Sequence, residues 1–386
     1  MIVCIVDHYP TKNRAGVPPS STVFLVAFCS FAKRIGHTSQ IITYFFESML
    51  FNNVSIHSVA HLEAPNRVTS AEISARLAKT LKRLRLPLNY LERTTGIEER
   101  RFWNKNTQPS DAATHIAEIV IQKSGLSKND IGVIINTSIS KDFIEPSIAA
   151  IIHGNLKLSA HCINFDIGNA CLGFLNGIHM AATMVEGGQV NHALVVSAES
   201  AGVGVWATID RLEKDDATPY EIRNQLASLT LGSGAAAMII SRRDLAPKGH
   251  SIQGLVTQAA TEHSRLCCAW VDTMKTDAPK ILKNGVILTT NTFYVAEKYL
   301  NWKVEEINEF AIHQISIAHI QTLQKECNLE SNKTMSIVQK YGNMGSVSVP
   351  FIMSKLEIAE RLTPGKMLRL VGAGSGLNCM LMDVLW

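Results

Sequence analysis

Aromatic residues make up only 6% of the 386-residue chain and charged residues 18%, and the formal net charge is +4. No dense Lys/Arg stripe with interleaved aromatics occurs, which argues against a nucleic-acid partner. No apolar run reaches the length of a membrane span, and there is no low-complexity tract. Eight cysteines are present: Cys4, Cys29, Cys162, Cys171, Cys267, Cys268, Cys327 and Cys379. None form a C-x-x-C pair, and their scatter fits neither a metal site nor a disulfide framework. The expectation is reduced thiols in a cytoplasmic protein, seven of them acting as small buried hydrophobes. What remains is abundant Ala, Ile, Val and Leu, with 46% apolar residues overall, the composition of an α/β protein with a large core.

Residues 1–48 differ from the rest. Two short apolar patches, Val23–Ala32 and Ile41–Phe46, are interrupted by Pro18, Pro19, Lys33 and Arg34. Lys33 and Arg34 stand where a signal peptide would carry small cleavage-site residues. We read 1–48 as a leader outside the native domain, with Met49 as the start. A targeting segment and an ordinary N-terminal arm are the alternatives.

From Met49 onward helical and strand patterns alternate. Thr69–Glu72 is a capping box opening a helix with Ile73, Leu77, Leu81 and Leu84 along one side. A second helix is predicted from Ser110 to Lys123, closing at Gly125. Ile131–Thr137, Cys162–Ile167 and His192–Ser197 are continuous apolar runs of the kind buried on both faces of a parallel sheet. A long apolar helix, Ala170–Val185, connects the last two. Gly232–Ser241 and Gly372–Trp386 both place a glycine cluster before a strand. That echo suggests two related α/β halves, 49–245 and 246–386.

Three segments carry candidate chemistry. In Asn164–Phe174 (NFDIGNACLGF), a strand ends, a Gly-containing turn follows, and Cys171 falls at the first turn of the apolar helix. The unpaired N–H groups and dipole there favour thiolate over thiol and could hold an oxyanion; the alternative is a buried packing cysteine. In Phe310–Ser316 (FAIHQIS), His313 ends an apolar strand, where open sheets place reactive groups. In Tyr341–Pro350 (YGNMGSVSVP), glycines permit a tight loop presenting the Asn343 amide ahead of a helix. Each of these two alone is also an ordinary structural residue.

Together and in this order, the three segments resemble the ketoacyl synthase III branch of the thiolase superfamily. The resemblance runs from Met49 to Trp386. It includes Thr95–Trp103 (TGIEERRFW), Ser110–Ala113, Gly232–Ala237 (GSGAAA) and Gly372–Asn378 (GAGSGLN). Within the branch the chain is most similar to OleA-type enzymes, on Ser138–Ser147 (SISKDFIEPS) followed by His153–Asn155. The resemblance implies a thiolase fold, two similar α/β halves in a five-layered αβαβα sandwich. It implies non-decarboxylative Claisen condensation of two fatty acyl-CoA molecules to a 2-alkyl-3-keto acid, as in olefin and long-chain hydrocarbon biosynthesis. CoA thioesters are then substrates, with no cofactor or metal.

It further implies Cys171 as nucleophile, with His313 and Asn343 supporting condensation. The Cys171 N–H and the backbone near Ser375 and Gly376 would form the oxyanion site. Glu145 would be the base, serving the neighbouring subunit of a homodimer. From spacing alone, the favoured reading of Glu145-Pro146-Ser147 is a plain helix start with Pro at its first position; the resemblance reverses that preference. Arg100 and Arg101 are candidates for CoA phosphates, or a solvated pair. Ala149, Ile178 and Met180 are candidates for an acyl tunnel, against a plain core role.

The main rival is a decarboxylating 3-oxoacyl-ACP synthase III using malonyl-ACP, which would make acyl-carrier protein a partner. A thiolase proper would need a second cysteine as acid/base, and Cys379 follows the glycine loop rather than preceding it. A non-catalytic partner subunit is the third alternative, although such subunits usually lose one of the three residues retained here.

Overall fold

The computed structural model describes residues 49–300 and 302–386; the expected leader, 1–48, lies outside them. The runs Ile131–Thr137 and His192–Ser197 give strands buried on both faces, where β-branched side chains fit a pleated sheet covered by helices; Cys162–Ile167 instead gives an edge strand whose Ile163 and Asn164 are exposed. Ten strands of one sheet are used below: β1 (Met49–Leu50), β2 (Val54–Glu63), β3 (Val133–Asn136), β4 (Ile163–Asp166), β5 (His192–Glu199), β6 (Gly234–Arg242), β7 (His250–Ala259), β8 (Glu309–Ile312), β9 (Met367–Gly374) and β10 (Asn378–Leu385). Their order is β8-β9-β10-β7-β2-β6-β5-β3-β4, with β1 on β7. β3 runs parallel to β4 and β5, and β8 runs parallel to β9. The remaining pairings on that path are antiparallel.

The two sides of this sheet meet at a short join. Ser55 pairs with Ser251 and Ile56 with His250, the two ladder pairs that join β2 to β7. Six helices cover the strands: α1 (Pro109–Ser124), α2 (Ile148–Leu156), α3 (Gly173–Glu186), α4 (Ala278–Tyr299), α5 (Ile317–Glu326) and α6 (Ser348–Ile358). Helices α1 and α2 bury Ile116, Val120 and Ile152 against Ile134, Leu194 and Ile239. Helices α3 and α6 share one core with both groups of strands, in which Phe174, Ile178, Phe351 and Ile352 meet Val195, Met238, Leu370 and Met382. Helix α4 packs Phe293 and Ala296 against Phe310, Val371 and Leu381. Helix, sheet, helix, sheet, helix is the five-layered thiolase arrangement.

Local signals explain the boundaries. The Thr69–Glu72 capping box forms, but the helix stops at Arg76 and resumes at Ala78. Ile73, Leu77 and Leu81 are buried together all the same. Helix α1 starts at Pro109 and closes on Gly125 at φ +74°, since a left-handed cap costs glycine no Cβ clash. Gly177 is needed for close approach, because a Cβ there would lie 2.7 Å from Thr137 and 2.8 Å from Val195. Helix α3 can therefore lie directly on β3 and β5.

Candidate active site

Cys171 stands between β4 and α3, as expected, but not in the α-helix itself. Ala170–Leu172 is a turn of 3₁₀ helix, and α3 begins only at Gly173. Ala170 has φ +46°, a left-handed conformation that costs a Cβ-bearing residue about 1 kcal/mol and that sets Cys171 off from the helix body. Asn169 Nδ2 donates to Asn176 Oδ1 at 2.8 Å, and Asn378 Nδ2 donates to Asn169 Oδ1 at 3.1 Å. The turn is thus tied both to α3 and to the first residue of β10.

The ends of two other segments close on this turn. The 3₁₀ turn Gly345–Val347, just after Asn343, packs against Ala170–Leu172, and so does β9. A Cβ on Gly374 would sit 3.0 Å from the Asn169 carbonyl oxygen and 3.1 Å from the Leu172 nitrogen. The Ser375–Gly376 turn that follows is therefore next to Cys171 in the fold. His313 directly follows β8, and its N–H donates to the Val371 carbonyl at 2.8 Å, one residue before the Gly372–Gly374 stretch that abuts the cysteine turn. The neighbouring Gln314 accepts from Ile337 and Val338 N–H groups at 2.8 and 3.0 Å, linking the histidine segment to the chain that leads into Asn343. Cys171, His313, Asn343 and the Ser375–Gly376 backbone thus converge on adjoining elements.

Electrostatics sharpen the picture and overturn one expectation. Burial, then the nearby Glu199 and Cys267, push the Cys171 thiol up to about 12. The resting group is a thiol, not the thiolate expected from its place beside a helix start; the loss of hydration and an adjacent carboxylate outweigh the helix N-terminus. Burial, with a smaller contribution from His319, lowers His313 to about 3, so its imidazole is neutral near pH 7. Among the described residues, Nδ1 of His313 has no hydrogen-bond partner. Asn343 Oδ1 accepts the Gly345 N–H at 2.9 Å, which orients the amide and leaves Nδ2 to donate outward. The Asn343 backbone is pinned in turn, N–H to Thr230 O at 2.8 Å and O to Gly232 N–H at 2.9 Å.

Glu145 lies elsewhere in character. It is exposed, on the loop between β3 and α2, beside Phe143 and the 98% exposed Ile144. The Glu145–Pro146 peptide is cis. Pro146 is not the first residue of a helix, since Ser147 is the N-cap and α2 starts at Ile148; the plain helix-start reading does not hold. Arg100 is also not what the sequence suggested. It is fully buried, with Nη1 donating to Ser70 Oγ and Nη2 to the Leu229 carbonyl, both at 2.9 Å, so it does not meet a solvent-borne phosphate. Arg101 is partly open, near Glu99 at 3.6 Å and over the Tyr341 ring. Ala149 and Ile178 are fully buried, whereas Met180 is exposed. Cys379 is buried on β10 in the core beneath α4, not beside the cysteine turn's own core. Among the described residues no cluster of three metal-ligating side chains occurs, and no helix is long and apolar enough to cross a membrane.

Glu199 was not singled out from the sequence. It ends the wholly buried strand β5. A carboxylate at the end of such a strand, on the same sheet end as the Cys171 turn, is the signal that marks it.

Fold and site together define a thiolase-type condensing enzyme. Residues 165–260 match the family model for 3-oxoacyl-[acyl-carrier-protein (ACP)] synthase III, and 298–386 match its C-terminal model. The acyl-CoA:acyl-CoA alkyltransferase of Xanthomonas campestris is 44% identical over 338 residues, 88% of this chain and 100% of that protein. That of Shewanella oneidensis is 35% identical over 352 residues, with the same coverage. The crystal structure of Xanthomonas campestris OleA with bound lauric acid and lauroyl-CoA superposes with a TM-score of 0.86 at 43% identity, over 87% of this chain and 100% of that one. Other structures of that OleA carry substitutions at one cysteine, one histidine and one glutamate. The chain belongs to the acyl-CoA:acyl-CoA alkyltransferase family, the OleA-type branch of the 3-oxoacyl-ACP synthase III enzymes.

Proposed function

We propose that the protein joins two fatty acyl-CoA molecules head to head, by Claisen condensation without decarboxylation, releasing CoA and forming a 2-alkyl-3-keto acid. The observation carrying this reading is the convergence of the Cys171 turn, the Gly345 turn behind Asn343, and the β9 end that holds the strand of His313. The Glu, Cys and His substituted in the Xanthomonas enzyme fall in the same order and spacing as Glu145, Cys171 and His313. We read 49–245 as the half carrying the nucleophile and 246–386 as the half carrying His313 and Asn343.

In the first step Cys171 Sγ attacks the thioester carbonyl, the bond to CoA sulfur breaks, and the thiol proton leaves with CoA. Because the resting cysteine is protonated, a neutral His313 suits a transient proton acceptor better than an imidazolium would. The backbone N–H of Cys171 and the Ser375–Gly376 turn receive the oxyanion. In the second step Glu145 of the neighbouring subunit removes the α-proton of a second acyl-CoA. Two unactivated thioesters need such a base, because no CO₂ is lost to generate the carbanion. His313 and Asn343 Nδ2 donate to the enolate oxygen. The carbanion attacks the acyl carbon, Cys171 is released, and water cleaves the remaining thioester. Exposure of Glu145, Phe143 and Ile144 supports a homodimer in which this loop reaches the other subunit. A cytoplasmic setting suits CoA thioesters as substrates.

Incubation with lauroyl-CoA alone, followed by mass spectrometry of products, tests the reading. A 2-alkyl-3-keto acid is expected. Product formation only when malonyl-ACP is added would overturn it in favour of a decarboxylating synthase. Mixing Cys171→Ala with Glu145→Ala subunits tests the dimer: restored condensation is expected, and none would place the base in its own subunit.

A further inference from the structure

The buried carboxylate at the end of β5 touches two of the segments on which the proposed chemistry depends, the start of the Glu145 loop and the turn behind Asn343. Glu199 Oε1 accepts the Ile139 N–H at 2.9 Å, and Oε2 accepts the Ser140 N–H at 3.1 Å and the Ser140 hydroxyl at 2.9 Å. Ser140 Oγ in turn accepts the Ser200 N–H at 2.9 Å. These bonds fasten the first residues of the loop that carries Glu145 to the end of β5. On its other side Glu199 meets the turn behind Asn343: a Cβ on Gly345 would lie 3.5 Å from the Glu199 carboxyl carbon and 3.1 Å from the Ile139 side chain. Gly345 has φ +53°, a left-handed backbone conformation that favours glycine there. Trp103 Nε1 donates to the Glu199 carbonyl at 2.9 Å, which holds the strand end from a third direction. Cys171 lies within electrostatic reach.

We propose that Glu199 is a positioning residue for the condensation step, tying the loop of Glu145 to the turn that orients Asn343. Its three acceptor contacts all receive donors, a pattern that a carboxylate satisfies and a carboxamide does not, because the NH₂ arm of Gln must face an N–H or O–H donor. Burial raises the Glu199 carboxyl to about 7, opposed by hydrogen bonds from Ile139, Ser140 and Ser346. Of the titratable groups acting on Cys171, Glu199 has the larger influence and Cys267, half-buried on the Cys267–Ala269 strand, the smaller.

This inference rests on the roles given above to Cys171 and Glu145, and the test separates the two. Glu199→Gln and Glu199→Asp are compared with wild type for acyl capture on Cys171 from lauroyl-CoA, for condensation rate, and for the pH profile of Cys171 alkylation by iodoacetamide. In Glu199→Gln condensation is expected to fall by roughly ten- to a hundredfold, the scale of a misplaced catalytic group, with much smaller loss of acyl capture. The alkylation profile should move to lower pH, because a negative neighbour has been removed. Glu199→Asp, which keeps the charge, should leave that profile near wild type. Proportional loss of capture and condensation with an unmoved profile would make Glu199 merely structural, as would wild-type behaviour of Glu199→Gln. Persistence of acyl capture in Cys171→Ala would instead overturn the underlying reading.

Discussion

The Cys171 turn and the Glu145 loop are built in opposite ways. The turn is enclosed: Asn169 is bonded to α3 and β10, Ala170 is held at φ +46°, and the Gly345–Val347 turn and β9 press on it. The loop is tied down at Ile139 and Ser140 but then runs outward to an exposed Phe143, Ile144 and Glu145. Acyl capture as proposed for Cys171 needs a preorganised nucleophile, and these contacts fix the turn within one chain. Proton abstraction needs a carboxylate brought to a second substrate, and one chain alone leaves it in water. Under the roles proposed for Cys171 and Glu145, the division assigns the first half-reaction to elements within the subunit and the second to an encounter between subunits.

The largest test of that division removes the nucleophile. Cys171→Ala is expected to lower turnover by roughly three orders of magnitude or more, with no acyl mass added to the protein from lauroyl-CoA. Next, Asn343→Ala should lower condensation roughly 10²–10³-fold, the loss typical of one oxyanion donor, while burst release of CoA in single turnover persists. The enclosed turn also makes a pH prediction. With its thiol raised to about 12, Cys171 alkylation should climb about tenfold per pH unit from 7 to 10 without a plateau. A plateau near 7 would mean that the helix start, not burial, governs the site.

Acid stability probes the same enclosure. His313 and His319 are held near 3 and 4 by burial, below the value for an unfolded histidine. The unfolded chain therefore binds more protons as pH falls below about 6.5, and stability is lost between there and about 3–4. His313→Gln should flatten that part of the Tm-versus-pH curve. The smallest effect is expected at Ala170→Gly, which relieves a left-handed strain but gives the unfolded chain more freedom. The two effects nearly cancel, within about 1 kcal/mol in thermal unfolding.

Much of this was legible in the sequence, for a physical reason. Strand–turn–helix punctuation around Cys171, His313 and Asn343 is local, and local patterns survive folding. Burial and partners are not local. Arg100 and Arg101 look alike in the chain, yet Arg100 is sealed under Ser70 and Leu229 while Arg101 stays partly open. The helix from Thr69 breaks at Leu77 although its apolar stripe continues. The thiolate expectation failed because desolvation and Glu199 come from other segments. Glu199 itself was overlooked because an acidic residue after an apolar run resembles any strand end.

Intact-protein mass spectrometry of Glu145→Ala after lauroyl-CoA addition tests the two-part account most directly. The account predicts a lauroyl adduct that accumulates on Cys171, with no condensation product formed. An adduct on any other residue, or condensation continuing at the wild-type rate, would contradict it.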